Sequence, residues 1–309
     1  MADKLTMFTN DRYASAYLIG GKVPVNGFNI EFVKPGPHGP GTIFHDMVRT
    51  QPYDISELPL ANYIIARDLG ISLTAAPVFP TMFFPQLGIM VNRNAGIHGP
   101  LDLVGKRVGV SGFSSSPAVW LRGILFHHYD LPSDQIIWVE GEPNSMSGVA
   151  FHRSRRYKVE KTEQRLMQQL EDGRIDALIL PEGAAPTHNI DHLFRNEFGK
   201  VRAYLEATGF FPPNSVLVIK EATSKANPGL GKALLKAYDE AVRQYSQDAA
   251  DDDRHMGLHV GELRTVGLFP YPTGLATNRT AIRMMVHYCY EQGLIETLFE
   301  PEDLFVSVE

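Results

Sequence analysis

The chain has 309 residues, 44% of them hydrophobic and 21% charged, with a formal net charge of -6. That is long enough for two domains, ordinary for a loop-rich globular protein, and the wrong sign for binding a nucleic-acid backbone, which needs a basic face. The single cysteine, Cys289, excludes a disulfide framework and a zinc–cysteine site. No apolar run approaches bilayer length, and the opening MADKLTMFTNDRY carries no apolar signal core, so a cytoplasmic protein with no membrane partner is expected.

In chain order, Leu5-Thr6-Met7-Phe8 reads as a first strand. Arg12, just past its end, is placed either to hold a ligand carboxylate with its two-point fork or to face solvent. Residues 27–33 alternate apolar and polar as a second strand does. A Gly/Pro loop then leads to a helix with Ile43, Phe44, Met47 and Val48 on one face and His45 on another. Tyr53 to Leu58 is a short strand running into a helix over 60–69, with Ser56 and Glu57 at the strand end, where rigid scaffolds tend to place function. Further strands over 73–79 and 87–91 flank a turn whose Phe83 and Phe84 floor a pocket or simply pack.

The stretch from Pro100 to Leu125 reads as a strand at 107–110, a small-residue loop, and a helix opened by Ser114-Ser115-Ser116-Pro117. A serine before a proline starts a helix because its oxygen accepts an orphan backbone N–H and proline has none to satisfy. Free N–H groups, hydroxyls and the positive dipole end make this an anion site, or equally an ordinary capped helix. Arg122, two turns further on, reads as structural. Beyond it come a strand at 135–139, a basic run from Arg153 to Lys158 that reads as a solvated loop or anion contact, a polar helix over 161–170 and a buried strand at 175–180. Glu182 and His188 lie in the loops that follow. A strand over 210–219 precedes helices at 230–245 and 279–292, and the apolar Met284-Met285-Val286 suits a core or an interface in a homo-oligomer.

Histidines at 127 and 128 are adjacent and make no helical metal pair, whereas His255 and His259 have i, i+4 spacing beside Asp251-Asp252-Asp253, as a metal pair or an exposed polar helix would. No metal site is assigned. Alternating strands and helices imply an α/β architecture with mostly parallel sheets, whose ligands bind beyond the strand carboxyl ends.

The pattern GIMVNRNAG, then PLDLVGKRVGV, a small-residue loop and a helix resembles the type II periplasmic-binding-protein fold, in which two lobes hold a ligand in the cleft between them. The resemblance implies one lobe from 1–95 plus 210–309 and a second from 96–209. SELPLANY, AVWLRGIL and the closing EQGL and LF are similar to the 4,5-dihydroxyphthalate decarboxylases, over nearly the whole chain. That resemblance implies decarboxylation of a hydroxylated aromatic dicarboxylate, without a cofactor, to a protocatechuate-like product. Such chemistry needs an acid beside the ring carbon, a base near the hydroxyl, and cations or N–H donors on the second carboxylate. The candidates for proton transfer are Glu57, His45 and His188. Those for substrate binding are Arg12, Ser56, Ser114, Ser115, Ser116, Glu182, Asn214 and Ser215.

Two departures bear on the substrate. Where the family carries Pro-Ile-Met-His after TGIF, this chain has TGFFPPNS, which puts Asn214 or Ser215 where the histidine is expected. The terminal PYG loop appears as Tyr271-Pro272-Thr273-Gly274. A lyase acting on another ring acid, and a solute-binding protein that captures a small carboxylate without chemistry, are the competing readings.

Overall fold

A computed structural model describes residues 4–37, 39–180, 184–194 and 197–308. The chain runs β1 (Lys4–Phe8), α1 (Ser15–Ile19), β2 (Asn29–Phe32), α2 (Pro40–Arg49), β3 (Ile55–Pro59), α3 (Leu60–Asp68), β4 (Leu73–Ala76), β5 (Ile89–Asn92), β6 (Arg107–Val110) and α4 (Ser116–Tyr129). It continues through β7 (Ile137–Gly141), β8 (Lys158–Thr162), α5 (Leu166–Glu171), β9 (Ala177–Ile179), β10 (Ile190–His192), α6 (Glu197–Thr208), β11 (Ser215–Lys220), α7 (Glu221–Ala226) and α8 (Leu230–Asp248). A hairpin of β12 (Arg254–His255) and β13 (Leu258–His259), then α9 (Val260–Thr265) and α10 (Gly274–Glu291), complete it.

Two sheets organise these elements. The first has the order β2-β1-β3-β11-β4 and the second β10-β5-β9-β6-β7-β8. Pairs β1–β2, β1–β3, β6–β7, β6–β9 and β7–β8 are parallel, as helical crossovers require. Strand β11 re-enters the first sheet antiparallel to β3 and β4, and β5 pairs antiparallel with β9 and β10 in the second.

Strand β3, ISELP, lies inside the first sheet and is buried along its length except at Pro59, its polar Ser56 and Glu57 included. Strand β8 is the opposite case. Its sequence KVEKT is largely exposed at the sheet edge, where charge discourages further pairing, and its last residues, Lys161 and Thr162, read locally as the start of a polar helix. The helix itself begins only at Leu166.

One apolar core runs through both sheets, and a smaller cluster of Met90, Val139, Leu170, Ile175, Leu178 and Ile190 underlies the second. Phe83 and Phe84 belong to the core, the latter stacked on Phe211 with ring centroids 4.7 Å apart. Cys289 is buried in the same mass, and burial pushes its thiol up to about 12. The Met284-Met285-Val286 segment packs inward, with Met285 and Val286 fully covered.

Close packing at β5 depends on Gly88, where a Cβ would stand 1.7 Å from the Leu180 carbonyl oxygen. Backbone cannot yield as a side chain can, so Gly88→Ala is expected to cost about 1–3 kcal/mol or more. A lowered urea midpoint at unchanged slope is the expected readout, and an unaltered midpoint would remove this contact from the fold's constraints.

Candidate functional site

The carboxyl ends of β1, β3, β6 and β7 converge on a cavity of about 290 Å³. Asn10 and Arg12 follow β1, Glu57 and Pro59 lie in β3, and Pro40, Gly41 and Phe44 come from the first turns of α2. From the second sheet, Ser111, Gly112, Ser115 and Pro117 follow β6, while Pro143, Asn144 and Ser145 follow β7. Asn214 and Ser215 close the wall at the start of β11.

Glu57 is 2% exposed although it borders this cavity. It lies inside a central strand, not at the strand end that the sequence suggests. The Oε2 atom accepts the Thr9 hydroxyl at 3.0 Å and the Asn10 backbone N–H at 2.9 Å. Both donors belong to the chain leaving β1, so the parallel pairing of β1 with β3 is what delivers them.

Arg12 sits one turn further along, partly exposed. The next residue, Tyr13, has φ of +51°, a left-handed conformation that a bulky residue adopts only when its surroundings impose it. Those surroundings are visible. The Tyr13 hydroxyl accepts the Met256 N–H at 3.1 Å, and its ring lies 4.4 Å from His255 and 5.9 Å from Tyr245.

His255 is not on a helix with His259: the two lie on opposite strands of the β12–β13 hairpin, in register with Leu258 and Arg254 respectively. His255 is buried against Tyr271, Tyr245 and Phe269, with Nδ1 3.2 Å from the Tyr245 hydroxyl and Nε2 without a hydrogen bond. Burial, reinforced by the charge of Arg12, lowers its pKa to about 3. The i, i+4 spacing thus marks an aromatic buttress behind Arg12.

An unfolded histidine takes up a proton near pH 6.5, whereas this buried one resists until about pH 3. The folded state therefore loses stability as pH falls through that window, by up to about 1.4 kcal/mol per pH unit from this one group. Urea titrations from pH 7 to pH 4 should show a steeper loss in the wild type than in His255→Phe, and parallel curves would dismiss the effect.

The three serines separate. Ser115 is the N-cap of α4 and lines the cavity, but its side chain makes no capping hydrogen bond, contrary to the capping expectation. Ser116 Oγ instead accepts the Ala61 N–H at 3.1 Å, so it caps α3, whose Leu60 N–H is taken by the Asn214 carbonyl. Ser114 is engaged by the Asn62 side chain, which donates to its carbonyl at 2.9 Å and its hydroxyl at 3.1 Å. Asn62 also accepts the Ser145 hydroxyl at 2.6 Å. One buried amide therefore ties α3 to the loops after β6 and β7.

Asn214 and Ser215 both engage Thr81. Asn214 Nδ2 donates to Thr81 Oγ1 at 3.1 Å, and the Ser215 hydroxyl lies 2.6 Å from the same oxygen. Asn214 Oδ1 is buried without a hydrogen-bond partner, which makes it the acceptor left over in this wall.

Other candidates lie apart from the lining. Ser56 is fully buried and donates to the Glu57 carbonyl. His45 is next to Phe44 but turns to the loop after β7, its Nε2 3.1 Å from the Ser147 carbonyl. His188 is exposed in the loop before β10. Glu182 lies outside the described residues.

Arg122 is structural in effect. It is fully buried with its guanidinium 3.8 Å from the Phe113 ring, donates to Gln292 Oε1 and the Phe113 carbonyl at 2.7 Å each, and is lowered to about 9 by burial. Of the basic run, Arg153 bridges to buried Glu140 at 3.1 Å, whereas Arg155, Arg156 and Lys158 are exposed. The residues that local reading passed over are Asn10, Ser111, Asn144 and Ser145. Each follows a strand end, and the rule that ligands bind beyond those ends is the signal that could have found them.

No family model matches the chain. It is 27% identical over 311 residues to a 4,5-dihydroxyphthalate decarboxylase of Comamonas testosteroni, covering 93% of this chain and 92% of that protein. Its sequence is similar to that of a 4,5-dihydroxyphthalate decarboxylase over nearly the whole chain. A second such decarboxylase, from Pseudomonas putida, is 28% identical over 205 residues, covering 62% of this chain and 78% of that one.

Among solved structures, the periplasmic aliphatic sulphonate binding protein SsuA of Escherichia coli aligns over 99% of this chain and 98% of its own, with a TM-score of 0.56 and 15% identity. The alkanesulfonate-binding protein SsuA of Xanthomonas axonopodis pv. citri, bound to MOPS, gives 0.52 over 98% of both chains at 13% identity. The chain thus shares the fold of these binding proteins, the two-lobed type II periplasmic-binding-protein fold, while its sequence is similar to the decarboxylases. Among the described residues no helix is long and apolar enough to cross a membrane.

Proposed function

We propose that this protein is a carboxy-lyase acting on 4,5-dihydroxyphthalate or a close analogue in the cytoplasm, releasing CO2 and a protocatechuate-like catechol without a cofactor. The carrying observation is that a protein alike over nearly its whole length is a 4,5-dihydroxyphthalate decarboxylase, while the cavity sets a buried carboxylate, Glu57, near an arginine, Arg12. In this reading the two sheets are the two lobes, divided at 95/96 and 209/210, and the substrate lies between them.

Arg12 holds the carboxylate that stays on the ring, assisted by Ser115 and the free N–H groups at the start of α4. Asn214 Oδ1 accepts a ring hydroxyl. Glu57 is the proton-transfer group, fixed by Thr9 and Asn10 so that its geometry is set before substrate arrives. A proton adds to the ring carbon bearing the departing carboxylate. The bond to that carboxylate then breaks, its electron pair returns to the ring, and aromaticity is restored as CO2 leaves.

Incubation with 4,5-dihydroxyphthalate should yield CO2 and protocatechuate in equal amounts. Tight binding without turnover would instead support a carboxylate-binding protein, a reading favoured by the shared binding-protein fold. Turnover of a different hydroxybenzoate in preference would support the related-lyase reading, which the residues at Asn214 and Ser215 favour.

A further inference from the structure

We infer that His127, His287 and Glu291 form a zinc-binding clasp between α4 and α10, at the end of α4 opposite Ser115. One ligand atom from each of the three side chains lies within 4.8 Å of the other two. His287 and Glu291 stand at i, i+4 on α10, so they project from one face, and His127 reaches them from the last turn of α4. His127 Nε2 is already 3.0 Å from Glu291 Oε2.

Tetrahedral zinc with bonds of about 2.0–2.1 Å places its ligand atoms about 3.3 Å apart. The observed separations therefore close with small rotations of side chains on the protein surface. Two imidazoles and a carboxylate, with water in the fourth position, suit zinc rather than the all-oxygen preferences of calcium or magnesium.

Independent features hold the cluster in place. The His127 ring stacks on Tyr288 at an interplanar angle of 12° and a centroid distance of 5.4 Å, which fixes its direction. A Cβ at Gly123 would lie 2.3 Å from the Tyr288 ring, so this glycine permits the close approach of α4 and α10 that brings the three ligands together. Arg156 donates to the Glu291 backbone carbonyl at 2.6 Å, not to its carboxylate. The cluster also sits in the C-terminal turns of both helices, where the helix dipoles favour a cation.

The test is calorimetric titration of chelator-treated full-length protein with zinc chloride, alongside cobalt(II) absorption. One zinc per chain is expected. His287→Ala and Glu291→Gln should each weaken binding roughly tenfold or more, since even outer-shell changes cost 10–100-fold. The exposed His98→Ala control should bind as the wild type does, and the visible bands of four-coordinate cobalt should vanish in His287→Ala. No binding at millimolar zinc, or undiminished affinity in the His127→Ala/His287→Ala double variant, would overturn the clasp. Because these readouts involve no substrate, they are independent of the proposed decarboxylation.

Discussion

Glu57→Gln is expected to lower kcat for 4,5-dihydroxyphthalate by about 10²–10⁴-fold, the range that positioned proton transfer contributes. The amide oxygen can still accept the Thr9 hydroxyl and the Asn10 N–H, so the strand and its contacts should survive. KM should therefore move little, because the lost interaction belongs to the transition state and not to ground-state binding. Steady-state kinetics, with product affinity measured separately, distinguishes the two. A rate near wild type would remove Glu57 from the chemistry, and a large rise in KM at constant kcat would recast it as a binding group.

Arg12→Ala carries the second large effect, on binding. A hydrogen bond to a charged group contributes about 1.5–3 kcal/mol, which corresponds to roughly 10–150-fold in affinity. The loss should depend on the ligand. A dicarboxylate should be weakened strongly, whereas a ring acid whose only carboxylate is the one that departs should be affected far less. Arg12→Lys should recover only part of the loss, since an ammonium cannot offer the two-point fork. Equal loss for both ligands would place the arginine in general electrostatics. No loss for either would take it out of the site, leaving the aromatic buttress of Tyr13 and His255 as packing alone.

Much of the architecture is legible in the chain because its period-two and helical patterns are strong where elements are buried. The strands β1, β6 and β9 and the helices α3, α4, α8 and α10 coincide with apolar runs of the matching period. Recognition of local blocks such as SELPLANY and AVWLRGIL works for a related reason. These segments form β3–α3 and α4, which meet at the cavity and are buried nearly throughout, so their identities are tightly constrained by packing. Strand β8 and the β12–β13 hairpin escape the same logic. Charged edge strands and two-residue strands carry no internal periodicity, and their pairing is decided by partners distant in sequence.

The candidate site divides along the same line. Residue type points to Arg12, just past β1, and to Glu57, read at a strand end though it lies within β3, and both border the cavity. Nothing local could separate Ser115 from its neighbours Ser114 and Ser116, because their partners Asn62 and Ala61 belong to another helix. His255 shows the limit most plainly: its spacing to His259 is that of a helical metal pair, and only the folded chain surrounds it with Tyr13, Tyr245 and Tyr271. The sequence by itself determined the α/β class, the strand ends that border the cavity, and the similarity to the decarboxylases, since these depend on short-range periodicity and contiguous blocks. Tertiary structure alone decided which hydroxyls face the cavity, where each histidine stands and how Glu57 is held. Those follow from hydrogen bonds and packing between segments dozens of residues apart, and a polar group's role is set by the partner that satisfies it.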